Sequence, residues 1–135
     1  MKKLLITLCA CTAMVIPTIA SADRWMDPAP TYEQMMREPG KLAGTKACWR
    51  GLVFQVRETK EFTEFFVATN ANFDDVSDVR PVYAQLSGKM PEPRIIDADT
   101  VEICGDFVRL YTYEGVKRNE ITIPAIALDS VRRTR

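Results

Sequence analysis

Lys46-Ala47-Cys48-Trp49-Arg50-Gly51-Leu52-Val53-Phe54-Gln55-Val56-Arg57 is the stretch that decides the fold. It is rich in apolar and aromatic residues and is broken by Gly51, and a glycine inside a strand marks a bulge or a sharp bend. Glu58-Thr59-Lys60-Glu61 follows as a charged turn, and Phe62–Thr69 reads as a second strand, so the two form a hairpin. Further on, Pro81–Leu86 is a third, shorter strand. Val101–Tyr113 is a fourth, bent at Gly105, and Ile121–Ala127 is a fifth. Asn70–Asp78 and Ser87–Pro93 read as loops, Glu114–Asn119 as a turn, and Leu128–Arg135 as a polar, basic exit. Five strands, two of them long and bent, predict an all-β class: a small closed barrel whose long strands coil to serve both of its sides.

Upstream of the strands, residues 23–30 read as an extended arm, because Pro28 and Pro30 discourage helix and sheet alike. Thr31 is placed to cap a short helix over Tyr32–Arg37, with Gln34 completing a capping box and Pro39-Gly40 ending it. Tyr32, Met35 and Met36 share a face of that helix, a pattern that favours packing on its own domain over a partner groove.

The chain opens with Met1, Lys2 and Lys3, runs apolar from Leu4 to Ile19, and exits through Ala20-Ser21-Ala22. These are the three parts of a secretory signal peptide, so residues 1–22 are expected to be cleaved between Ala22 and Asp23, placing the mature chain in the periplasm or outside the cell. Thr7, Thr12, Pro17 and Thr18 interrupt the apolar run, which argues against a membrane span, and no transmembrane helix is expected in the mature chain. Leu8-Cys9-Ala10-Cys11 loosely resembles a lipoprotein box, but cleavage before Cys11 would leave a very short leader. Loss of residues 1–22 leaves 16 basic against 18 acidic groups, a net charge of −2, and two cysteines, Cys48 and Cys104. An exported chain with two cysteines points to one disulfide.

There is no histidine in the sequence. That excludes Ser-His-Asp and Cys-His catalysis, imidazole zinc sites and a histidine pH switch. The slightly acidic balance argues against a dedicated nucleic-acid binder. Asp74, Asp75 and Asp78 lack the ligand spacing of a calcium loop and read as a solvated loop. Trp49, Phe54, Phe65, Phe66, Tyr83, Tyr111 and Tyr113 would supply stacking, and Arg50, Arg57, Arg109, Lys117 and Arg118 charge, to a single-strand binding face. With acids interleaved throughout, most of these aromatics are expected to build the core instead. The basic end Arg132-Arg133-Thr134-Arg135 reads as a solvated tail.

The short helix followed by Gly40-Lys41-Leu42-Ala43-Gly44, the strand Ala47–Val53, the run Asp99-Thr100-Val101-Glu102-Ile103-Cys104-Gly105, then Tyr111-Thr112-Tyr113 and Ile123-Pro124-Ala125-Ile126, resemble the small exported OB-fold proteins of bacteria. The resemblance spans Thr31 to Val131 and implies a five-stranded OB-like Greek-key barrel with one short N-terminal helix, over residues 31–135. It says little about ligand, since this fold hosts many functions. The run Arg94–Val101 with Val108-Arg109-Leu110 is similar to the motifs of the thermonuclease family, which would make Asp97 and Asp99 calcium ligands. Here an alanine separates the two acids, no Asp-x-Pro-Glu segment follows, and too little chain remains for the family's later glutamate and arginine. Catalysis, metal and cofactors are therefore not expected.

In OB topology strands one and four are neighbours, so a Cys48–Cys104 bridge is available to them. Both cysteines sit at odd offsets from the bend glycines; if the glycines face inward, both sulfurs face out, with a Cα–Cα distance of about 4.4–6.8 Å. The functional expectation is a non-enzymatic periplasmic module that contacts another envelope protein. The alternatives are a small inhibitor or immunity-type protein acting on an envelope hydrolase, through loop 70–78 or 87–93, and a divergent oligonucleotide binder or phosphodiesterase. A partner module would show an exposed apolar patch, with Trp25 and Met26 as candidates.

Overall fold

The computed structural model describes residues 24–69 and 79–134. The expected leader with Cys9 and Cys11, the loop with Asp74, Asp75 and Asp78, and Arg135 lie outside the described residues. Five strands, β1 (Lys46–Glu58), β2 (Phe62–Ala68), β3 (Pro81–Ser87), β4 (Thr100–Glu114) and β5 (Glu120–Arg133), close into a barrel in the order β1-β2-β3-β5-β4. All pairings are antiparallel except β3 with β5. This is the OB-like barrel. Among the described residues no helix is long and apolar enough to cross a membrane.

The alternation that suggested strands is an inside–outside pattern. Ala47, Trp49 and Val53 of β1, Phe65 and Val67 of β2, Val82 and Ala84 of β3, and Val101, Ile103 and Phe107 of β4 are buried in one cluster with Ile126 and Leu128 of β5. The first half of β1 pairs with β4 and the second half with β2, so β1 must turn a corner, and Gly51 sits there. A Cβ at Gly51 would lie 2.3 Å from the Ala68 carbonyl oxygen, and one at Gly105 would lie 2.1 Å from that of Ala127. Both bends are places where backbone meets backbone with no room for a side chain.

Two expectations are corrected. The described residues hold two short helices rather than one: α1 (Tyr32–Arg37) carries the Thr31/Gln34 capping box, and α2 (Pro39–Leu42) starts at the very proline expected to end helical structure. Proline is compatible with a first helical turn, where its missing N–H would have no partner anyway. Met35 and Leu42 of these helices join the barrel core. Second, the basic exit is strand: β5 runs to Arg133, with Val101, Glu102 and Ile103 opposite Arg133, Arg132 and Val131, because β4 needs a partner along its whole length. The extended arm is pinned to the barrel. Lys46 N–H donates to the Arg24 carbonyl (2.8 Å), Met26 N–H to the Lys46 carbonyl (2.9 Å), and the buried indole of Trp49 to the Pro30 carbonyl (2.9 Å).

Cys48 and Cys104 are direct cross-strand partners and are disulfide-bonded, with a Cα–Cα distance of 4.1 Å, just under the expected range. Gly51 and Gly105 are buried while Cys48 is exposed and Cys104 half-buried, so the bridge lies on the outside of the wall.

Candidate functional site

The aromatics divide into two sets, and this corrects the expectation that most belong to the core. Trp49 and Phe65 are in the core. Phe54, Phe66, Tyr83, Tyr111 and Tyr113 are half-buried on the outer face, where they line one groove of about 630 Å³. The size is that of small-ligand and peptide sites. Phe66 meets Tyr113 (ring centroids 5.4 Å apart), Tyr113 meets Tyr111 (5.9 Å), Tyr111 stacks on Tyr83 (4.4 Å), and Tyr83 returns to Phe66 (6.0 Å). Phe54 stacks on Phe66 at 5.6 Å. Four rings thus form a closed circuit with a fifth appended, within the separations at which aromatic pairs attract.

Two bulges assemble this face. Phe54 lies opposite Phe66 and Arg57 opposite Glu64, so three steps along β1 match two along β2. The extra residue brings Phe54 and Arg57 onto the same side, which strict alternation forbids. Gln55, inside the bulge, takes a positive φ of 54°. In β4, Phe107 lies opposite Ile126 and Arg109 opposite Ala125, with Val108 as the extra residue. Unbulged, Tyr111 and Tyr113 would follow Ile103, Gly105 and Phe107 into the core. The bulge turns them outward, across from Ile123 and Ile121. Ile123 and Ala125 are buried yet stand apart from the core cluster. They alternate with core-facing Ile126, which puts them on the outer face of β5, between the tyrosines of β3 and those of β4.

Three polar side chains of the groove engage one another. One Glu64 oxygen pairs with the Arg57 guanidinium, and the other accepts from the Tyr83 hydroxyl. Burial raises the Tyr83 phenol far above its ordinary value near 10, and the bond to Glu64 adds to the rise. Tyr113 is raised as well, first by burial and then by the neighbouring Tyr32 and Tyr111 phenols. Glu114, at the end of β4, is exposed and lines the groove. Among the described residues it has no ion-pair partner. Arg57, Glu64 and Glu114 therefore give the groove a net charge of −1.

The other candidates are dispersed. Arg50 pairs with Glu102, whose carboxyl is held below its ordinary value by hydrogen bonds from Arg132 and then Arg50, on the disulfide side of the wall. Lys117 and Arg118 stand at the tip of the β4–β5 hairpin. Asp97 and Asp99 serve the backbone: Asp97 accepts from Val56 N–H (3.3 Å), and buried Asp99 accepts from Ile96 N–H (2.9 Å). Ala98 between them has φ 73°, a turn conformation ordinarily left to glycine. Among the described residues no three His, Cys, Asp or Glu side chains are grouped to hold a metal. A second hollow of about 430 Å³ lies between Pro91–Pro93 and Val131–Thr134, but its Arg132 and Arg133 are engaged by Glu102 and Asp99. The proposed Trp25–Met26 patch is split, for Trp25 is 61% exposed while Met26 packs against the core.

Sequence reading had named all five groove aromatics and Arg57. It missed Gln55, Glu64, Glu114, Ile121 and Ile123, and it had no signal for either bulge: the bend read at Gly51 lies before the first, and the extra residue of the second is an ordinary valine. No family model and no curated protein matches the chain. Among solved structures it is similar to a mitochondrial single-stranded DNA binding protein from S. cerevisiae, Rim1. The identity is 11% and the TM-score 0.41, over 67% of this chain and 92% of that one. The similarity is one of backbone architecture and says nothing of what the groove holds.

Proposed function

We propose that this protein is a non-enzymatic binding module of the bacterial cell envelope, and that its aromatic outer face receives a segment of another envelope protein. The observation that carries the reading is the five-ring surface itself. The barrel core is complete without it, yet two bulges bring rings from β1, β2, β3 and β4 together on the outside. Half-exposed aromatic patches rimmed by polar groups are the usual material of interaction sites. In OB-like barrels the outer β2–β3 surface, flanked by the β1–β2 and β4–β5 loops, is the common binding side.

The charge of the groove separates partners. A nucleic-acid strand needs cations along its track, whereas here Arg57 is held by Glu64 and a further carboxylate, Glu114, stands open. The envelope assignment is supported by the leader-like first 22 residues and the Cys48–Cys104 bridge. The test is capture from envelope extract by immobilised wild-type protein and by a Phe66→Ser/Tyr113→Ser variant of unchanged circular dichroism. A partner retained by wild type and lost by the variant is the expected result. Equal retention by both removes the aromatic face from the account. A captured hydrolase that loses activity would move the reading to the inhibitor class.

A further inference from the structure

The hydrogen-bonding inventory of the groove narrows its occupant. Both Glu64 oxygens are engaged by Arg57 and Tyr83, and the Gly115 carbonyl at the hairpin end accepts from Arg118 N–H at 2.9 Å. The hydroxyls of Tyr111 and Tyr113, by contrast, have no partner among the described residues, and each is free to donate and to accept. The groove is thus rich in ring surface and has few open polar groups: the Tyr111 and Tyr113 hydroxyls, the exposed Gln55 side chain and the charged Glu114. A sugar brings a donor with every hydroxyl, and an ordinary peptide brings an N–H at every residue. Either brings more donors than these few polar groups can receive, and a donor left buried against a ring face is unfavourable.

We infer that the occupant is a proline-rich segment of the partner in polyproline II form, carrying a lysine or arginine that meets Glu114. Proline has no backbone N–H, and its carbonyls make no internal hydrogen bonds in this helix, so they are available to the Tyr111 and Tyr113 hydroxyls. Its ring lies flat on an aromatic face, and the segment is already ordered before it binds, which is why aromatic grooves take such ligands. The carboxylate of Glu114, unpaired at one end of the rings, supplies the charge complementarity for the cation. This inference rests on the reading of the outer face as the binding surface.

The test is fluorescence anisotropy with the purified protein and labelled synthetic peptides: a proline octamer bearing two lysines, its glutamate counterpart, and a Gly/Ser peptide with the same lysines. The Lys/Pro peptide is expected to bind at least about 10-fold more tightly than the Gly/Ser peptide. Tyr111→Ala should weaken it by a similar factor. Glu114→Gln, a change at an exposed position, should weaken the Lys/Pro peptide by about 2- to 5-fold, as for an exposed ion pair, and should not weaken the glutamate peptide. If Tyr111→Ala fails to fold, the Glu114→Gln pair of measurements still decides. Equal binding of the Gly/Ser peptide, indifference to Glu114→Gln, no proline-peptide binding at millimolar concentration, or tighter binding of oligothymidine or a chito-oligosaccharide overturns the inference. Failure here with envelope capture still lost in Phe66→Ser/Tyr113→Ser condemns the occupant and spares the face; capture indifferent to that variant condemns the face.

Discussion

Opening the Cys48–Cys104 bridge should destabilise the barrel through the unfolded chain rather than the folded one. The bridge joins residues 56 positions apart. In the chain-entropy treatment, releasing a loop of that length gives the unfolded ensemble about 4 kcal/mol of freedom at 25 °C. The folded side changes little. Cys48 and Cys104 are opposite one another in a ladder that runs from Lys46↔Asp106 to Leu52↔Thr100, so hydrogen bonds hold them in place without the sulfurs. Small domains have a net stability of about 5–15 kcal/mol, so the loss is a large share of the total. For a domain of this size it corresponds to a fall in melting temperature of about 15–30 °C. The assay is thermal unfolding by circular dichroism of the oxidised protein, the reduced protein and Cys48→Ala/Cys104→Ala. Reduced and double-variant proteins should melt together, well below the oxidised form, with the same native spectrum. A fall of under about 5 °C, or a changed native spectrum, would refute the argument that the bridge acts on the unfolded state.

Three further outcomes follow from particular contacts. Gly105→Ala places a methyl 2.1 Å from the Ala127 carbonyl oxygen, so it should destabilise by about 3 kcal/mol or more in urea unfolding; a loss under about 1 kcal/mol would mean the bend is looser than described. Ala98→Gly should stabilise by up to about 1 kcal/mol in the same assay, since φ 73° at Ala98 suits glycine, and a clear loss would contradict the strained turn. Tyr83→Phe leaves a Glu64 oxygen without its donor and should destabilise by about 1 kcal/mol at neutral pH. The phenol is raised on folding, so its contribution is present at neutral pH and is lost as pH rises from about 10 toward the folded value; the wild-type advantage should shrink as pH rises above 10.

Barrel and bridge were legible because they depend on alternation, on bend glycines and on a cysteine count, all of which are local signals. The groove was half legible. Its rings could be named, but inside and outside could not be assigned, because each bulge shifts the parity of everything after it. Gly51 advertises a bend; Val108 advertises nothing, and Tyr111 and Tyr113 change sides because of it. The β5 extension past Ala127 was hidden for a different reason: Leu128 and Val131 face inward while Asp129, Arg132 and Arg133 face water, and the polar residues dominate the composition. Glu64 gains its meaning only from Arg57 and Tyr83, two partners on other strands.

The account turns on whether the five-ring face is where this protein is met. Amide hydrogen exchange of the protein alone and with its captured envelope partner addresses this residue by residue. The account predicts slowed exchange concentrated at the bulged end of β1 around Gln55–Arg57 and along Tyr111–Ile121, with the disulfide side around Cys48 and Arg132 unchanged. Protection confined to the Trp25 arm or to the hollow at Pro91–Pro93 and Val131–Thr134, with the aromatic groove unaffected, would contradict it.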